Sequence, residues 1–150
     1  MKLFSFLFGK QKLTLEEGNK MHDELYTNIS TPLSTESELT KKAIKLLTSG
    51  KHVASIDIYK QLINEYPAQR DTYESQIGAN HYFLGEFEKA IEYYTLSMNH
   101  GFNKSMSDDN IWEACFALYE KTKKQHYIQQ YAEQFPQGNF IKKANNILSK

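Results

Sequence analysis

The 150-residue chain has few of the residues that build disulfide-stabilised, metal-clustered or all-β domains. Its one cysteine, Cys115, cannot form an internal disulfide or a cluster of cysteine metal ligands. Three prolines and seven glycines are too few for the many turns of an all-β domain. A chain of this length corresponds to about one domain, and it can bury enough apolar surface to fold without a covalent staple.

The sequence also lacks an excess of charge of either sign, because 18 basic residues balance 18 acidic ones. Proteins that bind nucleic acid usually carry a basic patch, so no nucleic-acid partner is expected. No apolar segment approaches the roughly 18 residues of a membrane span. The chain is therefore expected to be cytoplasmic.

The first nine residues contain a short apolar run with three phenylalanines. Ser5 interrupts this run and Gly9 ends it, so it lacks the longer apolar core and the cleavage site of a signal peptide. Residues 1–13 are predicted to be an apolar and basic tail that docks on the domain or frays. Contact of residues 1–9 with a lipid surface is the alternative, although so few apolar residues bury little area.

Two capping boxes and the helical spacing of apolar residues predict helices in the first half of the chain. The first box begins a helix over residues 14–29. The second, Thr35 with Glu38, begins a helix that Gly50 ends, and a new helical pattern begins at His52. Two amphipathic helices joined by so short a turn are expected to pack antiparallel.

The arrangement of two helices around a glycine turn then occurs again. Asp71 begins a helix that Gly85 ends, and the next apolar stripe ends at Gly101. Further along the chain, the sequence predicts a polar loop at residues 103–109 and helices at residues 111–119, 125–135 and 140–148.

The two helix pairs match each other at a fixed spacing of 35 residues. A period in this range indicates an array of stacked helix hairpins. Small residues let paired helices cross closely, an aromatic residue fills the gap to the next hairpin, and glycine turns the chain. The matched packing residues are Ala43 with Gly78, Gly50 with Gly85, Ser55 with Ala90, and Tyr59 with Tyr94, and Leu46 matches His81 at the same spacing.

At these positions the chain resembles the tetratricopeptide repeat (TPR) family. Ile77-Gly78, the Gly-x-aromatic turn at Gly85, Ala90 and Tyr94 follow the family motif. His81 departs from it, because the family has an aromatic residue there.

The resemblance implies an all-α, TPR-like superhelix of stacked antiparallel hairpins in a single domain over residues 14–150. Trp112 and Tyr119 leave the register of the third unit open between two alternatives. The expected units are residues 36–69, residues 71–103 and a degenerate copy at residues 105–136, with capping helices at residues 14–29 and 140–148.

What the resemblance implies about function is protein–protein interaction. The module would bind a peptide or protein partner in its concave groove as a non-enzymatic adaptor or chaperone, and a toxin-neutralising immunity protein is an alternative. The basic and amide clamp with which some members of the family hold a C-terminal carboxylate is absent. The predicted groove residues are Thr40, Ile44, Leu47, Thr72, Gln76, Ala79, Tyr82, Phe83, Asn110, Glu113 and Phe116.

The sequence contains no recognised pattern for catalysis, a metal or a cofactor. Its five histidines are scattered, and none forms the paired spacing of a zinc hydrolase helix. Neither a catalytic residue nor a metal ligand is predicted. A small helical enzyme with a site near His81, His52 or Cys115 is the alternative of another class.

Overall fold

A computed structural model describes residues 35–150, which form seven α-helices and one short 3-10 helix without any strand. The all-α class predicted from the sequence is confirmed. The predicted tail over residues 1–13 and the predicted helix over residues 14–29 lie outside the described residues. The helices are α1 (Thr35–Thr48), α2 (His52–Glu65), the 3-10 helix (Pro67–Gln69), α3 (Arg70–Phe83), α4 (Phe87–Asn99), α5 (Lys104–Thr122), α6 (His126–Gln134) and α7 (Ile141–Leu148).

From α1 to α7, α-helices that are consecutive in the chain pack against each other. Between α3 and α4, the hydroxyl of Ser97 donates to the carbonyl oxygen of Asp71 over 2.7 Å. Toward the other end of the pair, the rings of His81 and Tyr93 stack with centroids 5.3 Å apart. Residue numbers rise along one helix as they fall along the other, so the two helices run antiparallel.

Helices that are two apart in the chain run parallel where side chains connect them. The hydroxyl of Tyr127 donates to Glu88 over 3.1 Å, and Nε2 of Gln134 donates to Thr95 over 3.2 Å. Residue numbers therefore rise together in α4 and α6. These two hydrogen bonds bring α4 and α6 into contact.

The turns of the first two hairpins have the same backbone conformation. Gly50 and Gly85 take φ of +73° and +75°, the left-handed region that glycine adopts without steric penalty. Each turn has the same pair of backbone bonds to the preceding helix. In the first turn they join Gly50 N to Leu47 O and Lys51 N to Leu46 O, and in the second Gly85 N to Tyr82 O and Glu86 N to His81 O.

The third hairpin turns at a lysine. Lys123, which caps the end of α5, takes φ of +59°, the left-handed region that glycine takes in the first two turns. At the end of α6, Phe135 adopts φ −127° and ψ +68°, close to the φ −131° and ψ +65° of Tyr66 at the end of α2. A proline follows both residues, so the two hairpins end alike.

The predicted polar loop over residues 103–109 is wrong. Helix α5 begins at Lys104 because Asn103 caps it, with its side-chain oxygen accepting from the backbone N–H of Met106 over 3.0 Å. Two polar residues of the first turns, Ser107 and Asp108, are buried. Both side chains face the interior of the molecule. Their polarity therefore reflects buried hydrogen bonding within a helix and not an exposed loop.

The interior forms two apolar clusters, a smaller one among α1, α2 and α3 and a larger one from α4 to α7. The small packing residues predicted from the 35-residue spacing, Ala43, Ser55, Gly78 and Ala90, are buried. Their aromatic counterparts Tyr59 and Tyr94 are buried too.

Candidate binding surface

The large apolar side chains that are most exposed in the described part of the chain lie beside the first two hairpin turns. Val53, at the start of α2, is 62% exposed, while Phe83 and Leu84, at the end of α3, are each 40% exposed. The rings of His52 and Phe83 stack with centroids 5.5 Å apart, which brings the two turns together. We call Val53, Phe83 and Leu84 the turn-end patch.

Phe83 is held in place from a second side. Its ring meets Tyr82 edge to face at 5.9 Å, and Tyr82 in turn meets Phe87 at 5.3 Å. Tyr82 is partly buried, and burial, followed by the nearby carboxylate of Glu113, raises the pKa of its hydroxyl. The exposed ring of Phe83 is therefore supported by an aromatic row and by His52.

A buried polar network positions His52. Nδ2 of Asn80 donates to Ser55 Oγ over 3.2 Å and to the carbonyl of Gln76 over 2.9 Å, and Ser55 Oγ donates to the carbonyl of Ala43 over 2.9 Å. The free oxygen of Asn80 lies 3.1 Å from Nδ1 of His52, so that nitrogen is the donor. The network joins α1, α2 and α3.

Sequence reasoning did not single out Asn80. An asparagine in the apolar stretch that follows Ile77 was the available signal, because a buried amide requires partners. Its partners come from two other helices, which the local pattern does not identify.

The predicted groove residues differ widely in exposure. Helix α3 is buried continuously from Tyr73 to His81, because it packs between α2 and α4 and is contacted from α1 as well. Phe83, at its end, is exposed. Of the other groove residues, Leu47, Gln76, Ala79 and Asn110 are buried, and Thr40, Ile44, Thr72, Tyr82, Glu113 and Phe116 are partly buried.

In the third hairpin the start of α7 covers the predicted groove position. Nζ of Lys143 lies 4.3 Å from the ring centroid of Phe116 and 5.3 Å from that of Trp112. Phe140 stacks on Trp112 with centroids 5.1 Å apart. Phe116 therefore packs within the C-terminal part of the molecule.

His81 has partners on both of its sides. Its Nδ1 lies 2.6 Å from a carboxylate oxygen of Glu86, and its ring stacks on Tyr93. The bonds from His81 and then from Lys89 lower the pKa of the exposed Glu86 carboxylate. His81 thus bridges the α3–α4 turn.

Two further buried groups that could carry chemistry are the thiol of Cys115 and the carboxylate of Glu74. Burial raises the pKa of the Cys115 thiol to about 12, so the thiolate is not formed near neutral pH. The buried Glu74 accepts from Nε of Arg70 over 2.8 Å and lies 2.6 Å from Nδ1 of His100. Within residues 35–150 no group of three or more His, Cys, Asp or Glu could hold a metal ion.

Comparison of this chain with family models, with curated proteins and with solved structures finds no match in any of the three. None of the described helices is both long and apolar enough to cross a membrane.

A cavity of about 420 Å³ lies where α5 meets the segment between α6 and α7. The buried carboxylate of Asp108 borders it and accepts from the hydroxyl of Tyr131 and, over 2.8 Å, from the backbone N–H of Asn139. The Tyr131 hydroxyl also accepts from the backbone N–H of Phe140 over 3.1 Å. Both carboxylate oxygens therefore hold the turn that leads into α7.

Proposed function

We propose that this chain is a non-enzymatic, TPR-like module that binds a protein or peptide partner through the turn-end patch. The observation that carries the proposal is the position of Phe83. Its ring is exposed at the end of α3, at a predicted groove position, and is stacked on His52. The partner would offer apolar side chains to this ring.

The repeated geometry supports the TPR-like part of the proposal. Gly50 and Gly85 form the same turn 35 residues apart, and Tyr59 and Tyr94 are buried at the same spacing. Antiparallel neighbours and parallel alternate helices are what stacked hairpins require.

The energetics of interfaces support the binding part. Exposed apolar residues that cluster on a surface often mark an interaction site, and aromatic anchors supply much of the affinity. A ring that is already held in one orientation loses less conformational entropy on binding. Phe83, fixed between His52 and Tyr82, meets this condition.

We propose binding rather than catalysis because the residues of the enzymatic alternative have other partners. His52 is bonded to Asn80, His81 to Glu86, and the thiol of Cys115 is buried with a raised pKa. We also propose that the protein acts in the cytoplasm. An adaptor, a chaperone and a toxin-neutralising protein would all use such a surface, and the captured partner distinguishes them.

The test is site-specific photo-crosslinking in the cells that make the protein. A photoreactive phenylalanine analogue at Phe83 should capture a partner that the same analogue at Leu96 does not. Leu96 is a matched control, since it is partly exposed and lines a different pocket, between α2 and α4. Phe83→Ala should weaken binding of the captured partner at least tenfold while the thermal melt stays unchanged. Equal binding by Phe83→Ala and wild type would refute the proposed surface.

A further inference from the structure

We propose that a cleft between α2 and α4 is a binding site for a small monocarboxylate with an apolar body. The cleft has a volume of about 340 Å³, and α3 contributes Arg70, Glu74 and Ile77 to its lining. We call it the α2–α4 cleft. Ligand sites in proteins are clefts of roughly 300–1,000 Å³ that combine an apolar lining with a few placed polar groups.

A buried carboxylate holds the arginine of the cleft in place. The side chain of Glu74 is 2% exposed, and its Oε1 accepts from Nε of Arg70 over 2.8 Å. Its Oε2 lies 2.6 Å from Nδ1 of His100, which caps the end of α4. Removing a carboxylate from water is costly unless bonded partners compensate. Both oxygens of Glu74 have such partners, so this carboxylate serves to fix Arg70 and His100.

Arg70 keeps most of its donors for a ligand. Its side chain is 51% exposed, and its bond to Glu74 uses Nε. The terminal nitrogens Nη1 and Nη2 have no hydrogen-bond partner within the described part of the chain. Donors in the plane of a guanidinium can make two parallel bonds to the two oxygens of a carboxylate. Because Glu74 already orients the side chain, Arg70 loses less conformational entropy on binding.

The charge of the cleft favours a ligand with one negative charge. Lys60 lines it from α2, is exposed, and forms no ion pair within residues 35–150. The charged residues of the lining are Lys60, Arg70 and Glu74, which is two positive charges against one negative charge. A single carboxylate balances the remaining positive charge, whereas a phosphate dianion would leave an excess of negative charge beside Glu74.

Most of the other lining residues suit a hydrocarbon group. Ile77 of α3 is fully buried, while Ile63 of α2 and Leu96 of α4 are partly buried. The ring of Tyr93 also lines the cleft and is stacked on His81. Exposed cations alone hold an anion weakly in water, and apolar area removed from water adds to the affinity. The expected ligand therefore joins its carboxylate to a branched or aromatic hydrocarbon.

The α2–α4 cleft is separate from the turn-end patch, so its proposal does not rest on the proposed function. Arg70 and Phe83 are the first and last residues of α3. At 1.5 Å per residue they lie about 20 Å apart, farther than a small ligand can span. Leu96 remains a valid control for the capture of a protein partner, because the ligand of the cleft is a small molecule.

Nuclear magnetic resonance titration of the isotope-labelled full-length protein tests the site. The probes are phenylacetate and isovalerate, and their neutral amides, phenylacetamide and isovaleramide, are controls of the same shape. Both carboxylates should shift the Nε–H resonance of Arg70 and the amide resonance of Leu96 saturably, with a Kd of about 1–10 mM. The amides should bind about tenfold more weakly, because they lose the charge-assisted bonds. No saturable shift with either carboxylate, or shifts centred elsewhere, would overturn the proposal.

Variants assign the binding to the two cations. Arg70→Gln should weaken phenylacetate binding about tenfold, and circular dichroism checks its fold because it removes a partner of the buried Glu74. Lys60→Gln breaks no ion pair of the described chain and should weaken binding about threefold without changing the thermal melt. Lys51→Gln is the matched control, an exposed lysine at the opposite end of α2, and should bind like wild type. Unchanged binding by Lys60→Gln would overturn the site even where Arg70→Gln does not fold.

Inorganic phosphate tests the class of the ligand. It offers an anion without an apolar body and with a second negative charge, so it should shift the resonances of Arg70 and Leu96 about tenfold more weakly than phenylacetate. Equal or tighter binding of phosphate would overturn the assignment to a carboxylate.

Discussion

Tyr94 fills the space in which residue 78 would carry a Cβ atom. A Cβ built on Gly78 would lie 2.7 Å from both Cδ1 and Cε1 of the tyrosine ring, closer than side chains pack. Helices α3 and α4 approach each other closely here because one of them has no side chain at the contact. In the first hairpin Ala43 stands at the position of Gly78, and its carbonyl oxygen accepts from the hydroxyl of Ser55 over 2.9 Å.

The substitution Gly78→Ala should destabilise the protein by about 1–3 kcal/mol through overpacking against Tyr94. Alanine in place of glycine ordinarily stabilises a helix interior by up to about 1 kcal/mol, so the expected sign is reversed. Urea unfolding measures the change. In a Tyr94→Leu background the same substitution should be neutral or stabilising, and a stabilised Gly78→Ala single variant would contradict the close contact.

The substitution Asn80→Ala should lower the free energy of unfolding by about 1–3 kcal/mol, because it leaves buried partners unsatisfied. His52 would also lose the acceptor that orients its ring beneath Phe83. Asn64→Ala is the matched control on an exposed face of α2, with an expected effect within about 0.5 kcal/mol. Similar values for the two variants in chemical unfolding would argue against the network.

The substitution Lys123→Gly should stabilise the third hairpin turn relative to Lys123→Ala by about 1 kcal/mol. Both variants lose the ion pair to Glu120 and the contact with the Tyr119 ring, and only glycine adopts φ of +59° without strain. Differential scanning calorimetry gives the comparison. Equal melting temperatures would show that the left-handed turn carries no strain.

The free energy of unfolding should fall as the pH rises above about 10. Burial, and next the hydrogen bond to Glu36, raise the pKa of Tyr73 from 10.0 to about 12. The folded state therefore keeps this proton more tightly than the unfolded state, so the contribution is complete below pH 10 and is lost as the pH rises toward 12. Burial raises the pKa of Tyr59, Tyr94 and Tyr131 in the same direction.

Urea midpoints measured across this range, with phenolate absorbance recorded in parallel, check the alkaline prediction. Tyr73→Phe removes one of the shifted groups and should reduce the slope of stability against pH. An unchanged slope in that variant would show that Tyr73 titrates alike in the folded and unfolded states.

The local features of the fold could be predicted from the sequence. Helix spacing, the glycine turns at Gly50 and Gly85 and the small packing residues depend on neighbours within a few positions or on a simple period. The start of α5 could not be predicted from the sequence. An aspartate such as Asp108 is typical of a loop, and only the structure shows that Tyr131 and Asn139 bond to its carboxylate.

The exposure of the groove positions depends on how the helices assemble. Gln76 and Ala79 are buried because α3 has neighbours on several sides, which the pattern within α3 does not show. Phe83 is exposed because it stands at the end of that helix. The sequence leaves the register of the third hairpin open because its turn contains Lys123, and a lysine does not indicate a turn as a glycine does.

Within residues 35–150 each helix contacts mainly the helices next to it in the sequence. The apolar interior is therefore built from one helix pair after another along the chain. Each contact closes a short stretch of chain, so little loop entropy opposes its formation, and folding is expected to be rapid. Under a mechanical load applied between Thr35 and Lys150, such a chain should lengthen in successive steps, hairpin by hairpin. A single-molecule force–extension measurement would show several successive unfolding events instead of one.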